Sequence, residues 1–227
     1  MNKRSKRYKN SFNRLSNVKH NLDSAVEILN GFDPVKFDES VEISISLGVD
    51  PKQSSQAVRG TVNLPHGSGK EIKVLVFTEK PEEALSLGAD FAGLSDLISK
   101  VKSGWTEFDV ALSTTNSMKD VRTVARILGP RGLMPTPKAG TVTDDLETAI
   151  KEVKAGRVEF KMDKTGSLAV LVGKRSFDLR KLQDNAEAAL NAVKLSRPDG
   201  FKGKFITGAY LSSTMSPSIA LEVNNLN

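Results

Sequence analysis

A chain of 227 residues with 38% hydrophobic residues can bury one large core or two modest ones, and a formal charge of +6 favours a polyanionic partner. The absence of cysteine excludes disulfides and thiolate metal sites, and His20 and His66, the two histidines, make no convincing metal site by themselves. No targeting segment or bilayer-length apolar run is evident, so a soluble cytoplasmic protein without metal or cofactor is expected.

The opening residues carry Lys3, Arg4, Lys6, Arg7 and Lys9 with no acid, and Tyr8 sits among them as a stacking group, which reads as a basic arm. From Leu22 to Asn30 the residues Leu22, Ala25, Val26 and Leu29 recur at helical spacing, and Gly31 stops the helix. Val41, Ile43, Ile45 and Leu47 then alternate with Glu42, Ser44 and Ser46, the clearest strand in the chain. A second strand runs from Ala57 to Leu64, broken at Gly60. The L-P-H-G-S-G-K stretch from Leu64 to Lys70 lacks the first glycine and the terminal Ser or Thr of a Walker loop, so it reads as a Gly-rich hinge at Gly67 and Gly69, with His66 satisfied locally.

Beyond the hinge the pattern changes. Ile72 to Phe77 is a continuous apolar run of the kind buried on both sheet faces, and Phe108 to Leu112 is a further strand. Helices are expected over 81–87, 94–101 and 117–128, and strands alternating with helices imply parallel α/β layering. The stretch from Arg126 to Thr141 holds three prolines and three glycines with Arg126, Arg131 and Lys138 and no acid, a stiff cationic loop anchored by Ile127, Leu128, Leu133 and Met134. Asp144 with Glu147 suits the cap of a helix that ends near Gly156, and capping rather than catalysis is expected of Asp144 and Asp145.

After Gly156 the two-residue alternation returns in Val158, Phe160 and Met162, and Asp163-Lys164-Thr165-Gly166 turns the chain into a strand over 167–172. A long helix covers 178–195, ended by Arg197-Pro198, and strands over 204–212 and 218–223 flank a hydroxyl-rich turn from Ser212 to Pro217. The ends share one style and the middle another. The economical solution is an α+β chain of two domains: a discontinuous antiparallel-sheet sandwich from 1–66 and 157–227, and an inserted three-layer α/β domain over 67–156. Two crossings, with glycines at Gly67, Gly69 and Gly156, make a hinge that permits rigid-body rotation.

No nucleophile elbow, Cys-His pair, zinc helix or complete dinucleotide fingerprint is present, so no catalytic residue is assigned. Lys36, Phe37, Lys161, Lys164, Thr165, Thr214 and Met215 instead combine phosphate-binding groups with apolar surface, which suits structured RNA better than the DNA major groove. The alternative is a nucleotide-using α/β enzyme with a basic RNA-binding tail.

These residues carry a family resemblance. Val58-Arg59-Gly60-Thr61-Val62, Leu64-Pro65-His66-Gly67, Gly88-Ala89-Asp90, Gly104-Trp105 with Phe108-Asp109, Ile127 to Lys138, Lys154-Ala155-Gly156, Asp163 to Gly166 and Leu211 to Met215 follow in order. Together they closely resemble the bacterial ribosomal protein L-one family of the mobile large-subunit stalk. The resemblance implies a discontinuous RNA-binding domain and an inserted Rossmann-like domain. It also implies docking on large-subunit ribosomal RNA through Lys36, Phe37 and Ser40, through Lys161, Asp163, Lys164, Thr165 and Gly166, and through Ser212, Thr214, Met215 and Ser216. The implied partners are that RNA, exit-site tRNA, the chain's own operon mRNA, whose translation it would repress, and other ribosomal components. The free protein would be a monomer, and Arg126, Arg131 and Lys138 would form a loop facing tRNA or other RNA. Two departures stand out: Ser216 replaces a usual glycine, where a Cβ would crowd RNA, and Ala169-Val170-Leu171 replaces a usual His-Ala-Pro run.

Overall fold

The computed structural model describes residues 4–15 and 18–223. In chain order the first elements are α1 (Lys6–Asn13), α2 (Leu22–Asn30), β1 (Ser40–Leu47), β2 (Arg59–Asn63), β3 (Val74–Phe77), α3 (Pro81–Ser86), β4 (Phe91–Gly93), α4 (Ser95–Lys102) and β5 (Val110–Ser113). There follow α5 (Met118–Val121), α6 (Ala125–Leu128), α7 (Leu146–Ala155), β6 (Arg157–Lys161), β7 (Ser167–Lys174), α8 (Leu179–Leu195), β8 (Ile206–Ser213) and β9 (Ile219–Leu221). The mixed α+β composition agrees with the expected class. Two compact units result, one from the residues on either side of the segment Lys70–Arg157 and the other from that segment.

In the first unit β1 lies inside an antiparallel sheet of order β7-β1-β8-β9. Ile43 sits opposite Val170 and Leu211, and Ile45 opposite Leu168 and Ala209, all of them buried. Ala25, Val26 and Leu29 of α2 and Leu182, Ala186, Ala189, Leu190 and Val193 of α8 cover that face in one continuous core. Each fully buried aliphatic side chain contributes about 1.5–3 kcal/mol. A one-residue slip of β1 would exchange Ile43 and Ile45 for Glu42 and Ser44, so the register is strongly set. The other face of the sheet is left open.

β2 and β6 form a separate two-stranded sheet. Gly60 does not break β2, as the sequence suggests, but makes room: a Cβ there would lie 2.7 Å from the ring of the buried Phe160. Asn185 of α8, fully buried, pins the connection that follows. Its Nδ2 donates to the carbonyls of Gly67 (2.9 Å) and Val172 (2.8 Å), and its Oδ1 accepts from the amide of His66 (3.0 Å). His66 is satisfied locally, its Nε2 2.8 Å from Asp184 Oδ2.

The second unit is built on a parallel sheet of order β4-β3-β5. Leu75 and Phe77 of β3 join the core with Leu97, Ile98 and Val101 of α4, whereas Val74 and Val76 join Ala84 of α3 and Ala149, Ile150 and Val153 of α7. Successive residues therefore serve opposite cores, which is why this strand reads as an unbroken apolar run.

The basic opening forms, from residue 6 onward, the helix α1, whose N-cap Ser5 accepts from the Tyr8 amide through Oγ (3.3 Å); Lys3 lies outside the described residues. Two local expectations need correction. The single helix expected over 117–128 is two short helices joined by a 3-10 turn at Arg122–Val124. The β-branched Val121, Thr123 and Val124 crowd a regular helix, and the Thr123 hydroxyl returns to the carbonyl of Asp120 at 2.7 Å. The cap of α7 is Asp145, which accepts from the Thr148 amide at 3.2 Å; Asp144 instead binds Thr115.

Asn185→Ala leaves three backbone groups unpaired and is expected to destabilise the chain by about 2–4 kcal/mol. Asp184→Ala, which removes only an exposed pair, should cost less than about 1 kcal/mol. Urea unfolding followed by circular dichroism measures both.

Candidate nucleic-acid interface

The two polar stretches before β1 and after β8 are joined through one buried acid. Glu39 is fully buried. Its Oε2 accepts from Arg175 Nη1 at 2.6 Å, and its Oε1 accepts from the Ser213 hydroxyl at 3.0 Å and the Met215 amide at 2.9 Å. Arg175 is 12% exposed and also donates through Nη2 to the Phe32 carbonyl, while its own amide donates to the Glu39 carbonyl at 2.8 Å. Burial alone would raise the Glu39 carboxyl. The hydrogen bonds from Arg175, Met215 and Ser213 and the Arg175 charge outweigh it and hold the group below its usual value.

Around this acid the expected residues of both stretches come together. The Ser40 amide donates to Thr214 Oγ1 at 3.1 Å, the Thr214 amide donates to the Ser40 carbonyl at 3.0 Å, and Lys174 Nζ donates to Ser40 Oγ at 2.9 Å. Lys36 is exposed, and Phe37 and Met215 stand 54% and 51% exposed although both are large and apolar. A depression of about 450 Å³ adjoins Phe37, lined also by Phe32, Val35, Asp38, Arg175 and Ser176. Ser216 fits without strain because, among the described residues, none other than glycine has positive φ, and its Oγ accepts from the Ser213 amide at 2.9 Å. The hydroxyl thus fastens the turn.

The hairpin from Lys161 to Gly166 lies elsewhere. Ser40 pairs with Lys174 but Ser46 pairs with Ser167, so the hairpin is at the opposite end of β1, about 20 Å away at 3.3 Å per residue. Lys161 and Lys164 are exposed there. Asp163 organises the turn: its Oδ1 accepts from the amide and hydroxyl of Thr165 (2.7 and 2.6 Å) and the amide of Ser167 (3.0 Å), which holds its carboxyl below the usual range. Gly166, at φ +79°, allows the left-handed step.

Between the two ends runs the open face of the sheet, which the alternation in β1 announces but the candidate residues, apart from Ser212, omit. Ser44 sits opposite Tyr210 and Ala169, Glu42 opposite Ser212 and Leu171, and Ser46 opposite Gly208. Tyr210 is 41% exposed. Serines, a glycine and the exposed Tyr210 leave much of this face shallow, with Leu171 and the exposed carboxylate of Glu42 toward its Ser40 end. Ala169 and Leu171 of the departing run face this side, and Val170 is in the core.

In the second unit Arg126 and Arg131 are exposed, Arg131 donating to Thr106 Oγ1, while the side chain of Lys138 lies outside those described. Leu128 is buried and Ile127, Leu133 and Met134 pack on the same core, which anchors the loop as expected. Gly67, Gly69 and Gly156 all have positive φ; a Cβ at Gly69 would meet the Phe177 ring at 2.8 Å, and Gly156 caps α7. Asp144 accepts from the amide (3.0 Å) and hydroxyl (3.1 Å) of Thr115, just past the end of β5. Asp109, another residue of the family pattern, accepts from the Lys73 amide at 3.1 Å beside Lys70 and so braces the start of β3. Among the described residues there is no cluster of three or more His, Cys, Asp or Glu able to hold a metal and no helix long and apolar enough to cross a membrane.

Comparison with known proteins is consistent along the chain. Residues 29–217 match the family described as ribosomal protein L1p/L10e. Proteins named large ribosomal subunit protein uL1 are similar over nearly the whole length: that of Kosmotoga olearia is 50% identical across 98% of this chain and 97% of its own. The Protochlamydia amoebophila protein is 48% identical over 90% of this chain and 87% of its own, and the Bifidobacterium longum protein 44% identical over the full length of both.

The Glu39 carboxyl is held below its usual value, so its contribution to stability is fully present above the unfolded-chain value of about 4.3 and is lost as pH falls through the lower folded value. Glu39→Gln leaves Arg175 without its countercharge and is expected to cost about 3 kcal/mol at pH 7. The gap between wild type and variant should close as acid is added below about pH 4. Unfolding midpoints measured from pH 7 to pH 2 check both statements.

Proposed function

The chain belongs to the ribosomal protein L1p/L10e family and is a structural protein of the large ribosomal subunit, not an enzyme, and from that premise we propose that its first unit holds large-subunit ribosomal RNA of the stalk. The observation that carries this reading is the exposure of Phe37 and Met215 beside Lys36, on backbone fixed by the Glu39 and Ser40–Thr214 bonds. Exposed apolar side chains on a rigid, locally cationic surface suit riboses and base edges, and the hydroxyls of Ser212, Thr214 and Ser216 suit phosphate and 2′-OH groups.

RNA would run from this cluster over Ser44 and Tyr210 toward Lys161, Lys164 and Thr165, so that the separated hairpin contacts the far end of the same duplex or junction. Asp163 and Gly166 shape that hairpin. We assign the RNA-binding domain to 1–66 with 157–227 and an inserted domain to 67–156, joined through Gly67, Gly69 and Gly156 as the hinge. The inserted domain would present Arg126, Arg131 and Lys138 to exit-site tRNA as the stalk moves and deacylated tRNA departs. The same RNA surface would take a similar fold in the chain's own mRNA and repress its translation. Membership of this family speaks against the nucleotide-using alternative.

Phe37→Ala and Met215→Ala are each expected to weaken binding of a large-subunit stalk RNA fragment by about 1–3 kcal/mol, the scale of an aromatic or apolar contact to RNA. Filter-binding titration measures this, and unchanged affinity in both would remove them from the interface. ATP and GTP should leave the unfolding midpoint where it is.

A further inference from the structure

The helix α1 turns two different stripes outward and inward. Arg7, Ser11 and Arg14 face the unit: Arg7 donates to the carbonyls of Met215 (2.5 Å) and Asp33 (3.3 Å), Ser11 is fully buried, and Arg14 donates to the Gly31 carbonyl at 2.8 Å. The helix is thus docked by polar arms, with Tyr8 half-buried and Phe12 exposed. Arg4, Tyr8 and Phe12, four residues apart, form the adjacent stripe. The Tyr8 and Phe12 rings are nearly parallel, 13° apart in plane and 6.4 Å between centroids, and the Arg4 guanidinium lies 4.2 Å from the Tyr8 centroid. Phe12 is 57% exposed.

From this we infer that the Arg4–Tyr8–Phe12 column is a stacking platform for unpaired RNA bases, beside the turn at Met215. The inference rests on the reading of the first unit as RNA-binding and names a further part of its ligand: a single-stranded segment next to the folded RNA. An ordered column of a guanidinium and two rings offers planar faces to bases of any identity. Lys6 and Lys9 on the same helix, with no acid in it, supply attraction for the accompanying phosphates. The Arg7 bond to the Met215 carbonyl ties the platform to the proposed interface, so one RNA can reach both. A membrane surface is the other partner a basic aromatic helix attracts, but two rings on eight residues offer too small an apolar face to enter a bilayer.

The test compares a stalk RNA fragment trimmed to its paired core with the same fragment carrying an unpaired uridine tail at either end, using the full-length protein. The tail is expected to tighten wild-type binding about tenfold, in line with one base stack. The Tyr8→Leu/Phe12→Leu double variant, which keeps apolar volume and whose folding is verified by circular dichroism, should bind the trimmed fragment like wild type and lose the gain from the tail. Tyr8→Trp/Phe12→Trp should keep it. No gain from the tail in wild type, a gain that survives in the leucine variant, or equal loss on both fragments would overturn the platform. So would binding to phosphatidylserine vesicles that the leucine variant abolishes while the RNA affinities stand. Wild-type failure on both fragments would contradict the ribosomal RNA reading as well, whereas tight binding of the trimmed fragment with no effect of the tail contradicts the platform alone.

Discussion

The surface described here depends on one buried ion pair. Glu39 and Arg175 come from positions 136 residues apart, and their contact draws four backbone segments together: the end of α2 through the Phe32 carbonyl, the approach to β1, the turn after β7, and the turn after β8 through the Met215 amide. A carboxylate removed from water is tolerable only when it is well hydrogen-bonded and a countercharge is near. Here both conditions hold, so the low-dielectric site makes its alternatives costly and the backbone correspondingly unique. Loops that would otherwise wander become parts of a rigid scaffold, and the side chains they carry, Phe37 and Met215, can stay exposed without collapsing inward.

That clamp also explains which parts of the chain could be read in advance. The alternation of Val41, Ile43 and Ile45, the helical spacing in α2 and α8, and the apolar run of β3 are burial patterns, and burial dominates the energy, so these elements follow from periodicity. Glu39 gives no such signal. It sits between Asp38 and Ser40 in a polar stretch, and only its distant partner reveals that it is inside. The helix α1 was hidden for the opposite reason: its inward stripe is Arg7, Ser11 and Arg14, residues that dock through hydrogen bonds and leave no apolar pattern. The choice of Asp145 over Asp144 as a cap turns on a neighbour, Thr115, that local sequence does not place.

The candidate site was legible to a similar degree. The residues flanking β1 and β8 cluster, the hairpin at Asp163 stands a strand length away, and the open sheet face between them was not among the candidates. Its residues, Ser44, Tyr210 and Ala169, are small or ordinary singly, and they become a surface only when β1, β7 and β8 are laid side by side.

The central claim is that RNA is held by the surface organised around Glu39 and Arg175. Amide hydrogen exchange of the intact protein, alone and with a large-subunit stalk RNA fragment, tests it most directly. The account predicts slowed exchange at residues 36–40, along the edge-to-edge run of 42–46 and 208–212, and at 213–216. Protection confined to residues 122–141, with the amides around Glu39 and Met215 unchanged, would contradict it.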